Sequence, residues 1–155
     1  MNSTSISLSD EQATVALGAE LARADLRGAV IYLQGELGAG KTTLVRGLLT
    51  HLGHQGAVRS PTYALVEIYH VNNQQLVHVD LYRLRDPSEV ENLGLRELAD
   101  GETIMLIEWP QYGAGYLPVA DLTIALAYQG NARVASLHAA STRGQNVLSC
   151  LSGND

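Results

Sequence analysis

Apolar and polar positions alternate along the chain with two periods. Ala13, Leu17, Leu21 and Ala24 recur at helical spacing, and Ser9 followed by Gln12 has the form of a capping box, so a helix is predicted from about Asp10 to Ala24. Gly28 interrupts it. Ala29 to Leu33, a short apolar β-branched run, predicts a buried strand. The stretch from Lys41 to Leu52 predicts a second helix, with Gly53 just past its end. Tyr63–Tyr69 and Gln75–Tyr82 are strand-like and flank the turn-forming VNNQ, so they predict an antiparallel hairpin. Asp86-Pro87 suits an N-cap and first helical position, and that helix should stop near Gly94, with a further turn over Leu95–Ala99. Thr103–Trp109 predicts a third strong strand, ended by Pro110. A second hairpin is expected where DLTIALAY and ARVASLHA flank Gln129-Gly130-Asn131, and a short helix or tail closes the chain.

These elements predict an α/β fold: a single P-loop NTPase-like domain over residues 1–151, with a mixed central sheet, β-hairpins and helices on both faces. Residues 152–155 are expected to be a flexible tail. A length of 155 residues with 46% hydrophobic content suits one core. No apolar run approaches the roughly 18 residues of a membrane span, and the N-terminus lacks the basic and apolar regions of a signal peptide. The lone Cys150 has no internal disulfide partner and is expected to be inert and partly buried, which fits a reducing, cytoplasmic setting.

The chemistry is concentrated in GELGAGKTT. Gly35, Gly40, Lys41 and Thr42 satisfy G-x-x-x-x-G-K-[ST], between a predicted strand and a predicted helix. The glycines let backbone N–H groups turn inward on phosphate oxygens, and the helix start adds its positive dipole end. Lys41 reaches the β- and γ-phosphates, and the Thr42 hydroxyl can ligate Mg²⁺. The pattern implies a nucleoside triphosphate without saying what it is used for. Two acids end apolar runs, Asp80 in VHVDLY and Glu108 in IMLIEW, where carboxylates would meet a ligand beyond the strand ends. Glu108's strand is expected to run parallel and close to the strand feeding the loop. Asp80, on the return arm of a hairpin, is expected to approach from a different direction. Either acid could orient an attacking water. Ser60-Pro61-Thr62 occupies the chain position of a γ-phosphate-sensing switch.

Other machinery is missing. No Asn-Lys-x-Asp follows the loop, so ATP is expected over GTP. The arginines after Thr42 do not cluster as a kinase lid would, which leaves a small-molecule kinase as a lesser alternative. A nucleotide-dependent docking switch that does not hydrolyse is another. The histidines form no metal set, and the aromatic residues no stacking surface for single strands. A net charge of −6 at pH 7, with scattered Lys and Arg, argues against direct contact with DNA or tRNA phosphates.

GELGAGKTTLVRG, SPTYALVEIY, HVDLYRL and IEWP, in that order between Gly35 and Pro110, together resemble the TsaE (YjeE) family. The resemblance implies a mixed α/β P-loop ATPase required for forming threonylcarbamoyladenosine beside the tRNA anticodon. It implies slow ATP hydrolysis by the chain alone, with Mg²⁺. The transfer itself belongs to TsaD paired with TsaB. The chain would dock on that pair and support its turnover, meeting tRNA only through these partners. Residue by residue, Gly38, Ala39, Gly40, Lys41, Thr42 and Thr43 match the phosphate loop, with Thr42 the Mg²⁺ ligand. Asp80 and Glu108 match the acids around Mg²⁺ and the attacking water. Ser60, Pro61 and Thr62 match the switch-like segment, and Trp109 a tryptophan beside the nucleotide. Glu11 and Arg133 match positions near the nucleoside end of ATP.

Overall fold

The structure is a computed structural model that describes residues 2–58 and 65–152. In chain order the main elements are β1 (Ser3–Leu8), α1 (Glu11–Ala22), β2 (Val30–Gln34), α2 (Lys41–His51), β3 (Val66–Val71), β4 (Gln74–Asp80), α3 (Leu95–Leu98), β5 (Ile104–Glu108), β6 (Leu122–Gln129), β7 (Ala132–Ala139) and α4 (Thr142–Ser152). Two 3₁₀ turns, Pro87–Leu93 and Pro110–Gly113, flank α3 and β5.

The strands form one sheet in the order β1-β7-β6-β2-β5-β4-β3. β6, β2, β5 and β4 are mutually parallel in the middle, and β3, β7 and β1 join antiparallel on the outside. All five residues of β5 are buried, as expected of a parallel strand covered on both faces. Alternation along the strands divides the core. Ile31, Leu33, Leu76, Ile104, Leu106 and Ile124 pack with Leu17, Leu21, Leu44, Leu48 and Val147 under α1, α2 and α4. Val30, Val77, Val79, Met105 and Ile107 pack on the opposite face with Val90 and Leu95, under the 3₁₀ turns and α3. Helical segments therefore cover both faces, with the long helices all on one.

Two glycines set how closely α1 lies on α2. A Cβ on Gly18 would come within 2.3 Å of the Leu44 carbonyl, and one on Gly47 within 2.3 Å of the Val15 carbonyl. The backbones touch, so the start of α1 is fixed relative to the loop that opens α2.

Several expectations shift. The cap of α1 is Asp10, not Ser9: its extended backbone turns a carboxylate oxygen to the Ala13 N–H at 2.9 Å, so the helix starts at Glu11. β1 was not expected. Its sequence STSISL carries polar side chains on the solvent side and offers only Ile6 and Leu8 to the core, so pairing with β7 decides it. The first hairpin turns on Asn72 and Asn73, both at positive φ, as a two-residue loop of this twist requires. Asp86 is the anticipated N-cap, with Pro87 following it, and it closes a capping box with Glu89, but the segment winds as 3₁₀ until Gly94. Cys150 is free and partly buried. Ser152 still belongs to α4, and residues 153–155 of the expected tail lie outside the described residues. No helix among the described residues is long and apolar enough to cross a membrane.

Candidate functional site

The loop between β2 and α2 crosses the carboxyl ends of the central parallel strands, where ligands meet open α/β sheets. Gly40, the N-cap residue of α2, sits at φ 112°, a left-handed conformation that a side chain would strain. Among the described residues no acceptor meets the amide N–H of Gly38, Gly40, Lys41 or Thr43. Unmet donors at a helix N-terminus fit a phosphate group. Tyr128 of β6 fastens the loop from the side, its hydroxyl donating to the Leu37 carbonyl at 2.8 Å.

Lys41 is buried at 5% exposure. Its ammonium donates to the Gly35 carbonyl and lies 3.8 Å above the centre of the Trp109 ring. Burial lowers its pKa, while Glu108 and Asp80 pull it upward. Trp109 is left-handed (φ 59°) immediately before Pro110, and its ring stacks on Tyr112 and leans on Tyr82.

Glu108 is 3% exposed at the end of β5. The Thr42 hydroxyl stands 3.4 Å from its Oε2, to which it donates. His78 Nε2 stands 2.6 Å from the same oxygen. Asp80 lies directly across the β4–β5 ladder from Glu108, while Leu33 of β2 lies across from Glu108 on its other side. The expectation that Asp80 approaches from a different direction is therefore corrected. The β3–β4 hairpin sends β3 to the sheet edge and seats β4 parallel to β5, so both acids leave neighbouring strand ends on the same face. Asp80 is half-buried and accepts from the Tyr82 N–H at 3.0 Å. Burial first, then Glu108, raise its pKa; Tyr82, His78 and Lys41 oppose them.

Two hollows flank the loop. One, of about 280 Å³, is lined by Gly38, Lys41, Thr42, Asp80, Glu108 and Trp109, among others. The other, of about 210 Å³, brings Glu11 and Arg133 together with Gly38, Ala39, Gly40 and Thr43. Glu11 pairs with Arg46 of α2 at 2.8 Å, and Arg133 lies over the Tyr128 ring at 4.1 Å. The structure thus unites every candidate residue within the described range around one loop. Ser60, Pro61 and Thr62 lie outside the described residues. A larger hollow of about 750 Å³ opens at the other end of the sheet. Its arginines are matched by acids (Arg23 with Glu20, Arg27 with Glu102, Arg143 with Asp121), and it lacks the convergence seen at the loop.

His78 was missed. The available signal was its spacing in HVDLY: two residues before Asp80, it must share that residue's face of the strand. No three His, Cys, Asp or Glu side chains converge as a self-sufficient metal cage among the described residues. A hydroxyl beside one or two carboxylates does suit Mg²⁺, which binds through few protein ligands and takes the rest from phosphate and water.

The model for the threonylcarbamoyl adenosine biosynthesis protein TsaE matches residues 8–135. The chain belongs to the TsaE family. The TsaE of Haemophilus influenzae, a tRNA threonylcarbamoyladenosine biosynthesis protein, is 48% identical over 123 residues, covering 79% of this chain and 78% of the relative. The TsaE of Treponema pallidum is 38% identical over 115 residues, covering 74% and 84%. The crystal structure of Bacillus subtilis YdiB superposes with a TM-score of 0.85 at 27% identity, covering 99% of this chain and 96% of that one. Homologues of this TsaE-family chain are thus named for threonylcarbamoyladenosine biosynthesis, and its P-loop-type fold agrees with that of its structural neighbour.

Proposed function

We propose that this protein is the ATPase of the machinery that forms threonylcarbamoyladenosine on tRNA in the cytoplasm, binding ATP with Mg²⁺ and hydrolysing it to support turnover of a TsaB–TsaD transferase. The observation that carries the reading is the meeting of Lys41, Thr42, Asp80 and Glu108 around one hollow beside the glycine-rich loop.

The amides of Gly38, Gly40, Lys41 and Thr43 and the Lys41 ammonium bind and orient the triphosphate. To do so Lys41 exchanges the Gly35 carbonyl for phosphate oxygens. Thr42 and Glu108 hold Mg²⁺, directly or through water, and the ion supplies charge neutralisation across the phosphates. Asp80 is the better placed of the two acids to orient the attacking water, because Glu108 already meets Thr42 and His78 through one oxygen. Glu11 and Arg133 border the nucleoside end. Among the described residues no arginine lines the hollow at Lys41. An arginine finger is worth roughly 10³-fold or more, so hydrolysis by the chain alone is slow and a partner completes the site.

The test is steady-state ADP formation by the full chain, alone and with TsaB–TsaD and tRNA. Stimulation by the partners is the expected result. Absence of hydrolysis in the complete, active mixture would overturn the reading in favour of a docking switch. Because the charge is −6, the isolated chain should bind tRNA weakly at physiological salt; a tight, steeply salt-dependent complex would contradict indirect contact.

A further inference from the structure

His78 lies within β4, between β5 and β3, with no exposure at all. The parallel ladder sets Leu106 across from it and Glu108 across from Asp80. Leu76 and Leu106, its neighbours on this face, are fully buried apolar residues, so an aliphatic side chain would pack here without any polar atom to satisfy. Yet an imidazole stands there, and only one of its nitrogens is used. Nε2 meets Glu108 Oε2 at 2.6 Å, while Nδ1 is buried with no hydrogen-bond partner among the described residues. A ring retained for its own hydrogen bonding would be expected to satisfy both nitrogens.

A carboxylate oxygen accepts, so Nε2 carries the proton it donates. Nε2 is therefore the donor in this contact.

We propose that His78 is a positioning residue for Glu108. Its Nε2–H anchors Oε2 from inside the sheet, so the carboxylate cannot rotate away from Thr42, whose hydroxyl meets the same oxygen from α2 at 3.4 Å. The other oxygen, Oε1, receives no donor from the described residues and remains for work at the loop. This inference rests on the reading of Glu108 as the carboxylate on the metal side of an ATPase site. Hydrogen-bond partners standing behind metal-site carboxylates are commonly worth roughly 10–100-fold in metal affinity.

The experiment uses the full chain and ADP as nucleotide. Mn²⁺ affinity of the protein–ADP complex is read by electron paramagnetic resonance, and ADP affinity is read separately in chelator. His78→Leu, which keeps bulk without a donor, should weaken Mn²⁺ binding roughly 10–100-fold and leave metal-free ADP affinity unchanged. His78→Gln, whose amide can place a donor near the Nε2 position, should recover most of the loss. Wild-type metal affinity in a folded His78→Leu protein would overturn the inference, as would equal loss in both variants together with loss of metal-free ADP binding. Should His78→Leu not fold, nitrogen NMR of the wild-type ring decides: a proton on Nε2 supports the proposal, and an Nε2 that carries none overturns it. A wild-type chain that binds no Mn²⁺ with ADP would sink the ATPase reading instead, so the two failures are distinct.

Discussion

The two hollows beside the phosphate loop are built from different material. On the Lys41 side, Glu108 and Asp80 end central parallel strands, and Glu108, His78 and Lys41 are all buried. Each side chain there is held by a second group: Glu108 by His78 and Thr42, Lys41 by the Gly35 carbonyl and Trp109, Asp80 by the Tyr82 N–H. On the other side, Glu11 starts a helix and Arg133 follows a hairpin turn. Glu11 and its partner Arg46 are largely exposed, and Arg133 rests on an exposed tyrosine. A site for phosphate chemistry needs groups fixed to fractions of an ångström. A surface that only borders a nucleoside tolerates movement. On the proposed function, the core supplies the first and the periphery the second.

The largest predicted effect lies on the buried side. Lys41→Ala should keep the fold and lower ATP turnover by at least about 100-fold, as loss of a preorganised electrostatic contact does. Titration with ATP at fixed Mg²⁺ checks binding in the same samples. Unchanged affinity and turnover in a folded variant would remove the loop from the mechanism. Glu108→Ala should weaken Mg²⁺-dependent ATP binding and turnover together. It should also destabilise the fold by about 1–3 kcal/mol, because His78 loses its buried acceptor.

The same contrast explains what was legible in the sequence. Lys41, Thr42 and Glu108 stand in short motifs because the chemistry ties residue type to a strand end or helix start a few positions away. β2 and β5 were visible as apolar runs because both faces of a central parallel strand are buried. What stayed hidden depends on which strands become neighbours. The hairpin of β3 and β4 was evident, but not that β4 would join β5 in parallel and set Asp80 beside Glu108. β1 was hidden for the same reason, since its partner β7 is more than a hundred residues away. His78 looked like one polar residue inside a strand until that neighbour was known.

A finer test separates the two acids. Both face the loop, so the expected difference between them now rests on burial and bonding. Asp80 makes no hydrogen bond to Thr42 among the described contacts, whereas Glu108 does. Asp80→Ala should therefore lower turnover by roughly 100-fold while changing ATP affinity much less, the signature of a contact made mainly in the transition state. The comparison is drawn from ATP dissociation constants and single-turnover rates for both variants with TsaB–TsaD present. Lost ATP binding with normal turnover of the bound fraction would make Asp80 a ground-state ligand and reverse the assignment.

Smaller changes are expected across the loop. Glu11→Ala and Arg133→Ala should each shift ATP affinity by no more than about fivefold, the scale of exposed charge contacts, and leave turnover at saturation unchanged. Competition between ATP and GTP in the same variants shows whether this side contributes to base preference, with ATP expected to win in the parent chain. A collapse of turnover at saturating ATP in either variant would erase the distinction between the two hollows.

The smallest effect concerns stability without nucleotide. Burial, reinforced by Glu108, raises the Asp80 pKa above its ordinary value. A carboxyl with a raised folded-state pKa favours the folded state fully only below its unfolded pKa. That contribution is lost as pH rises through the folded pKa, because the charged form is the one penalised. Asparagine imitates the uncharged form and can still accept from the Tyr82 N–H. In chelator and without nucleotide, Asp80→Asn should therefore melt higher than the parent at neutral pH, by on the order of 1–3 °C for a domain of this size. The gap should close as pH falls toward about 4, the ordinary Asp range. Melting curves of both proteins across that pH range check it. A variant less stable than the parent at neutral pH would mean that the attraction of Asp80 for Lys41 and His78 outweighs its burial. The buried side would then be charge-balanced in its resting state.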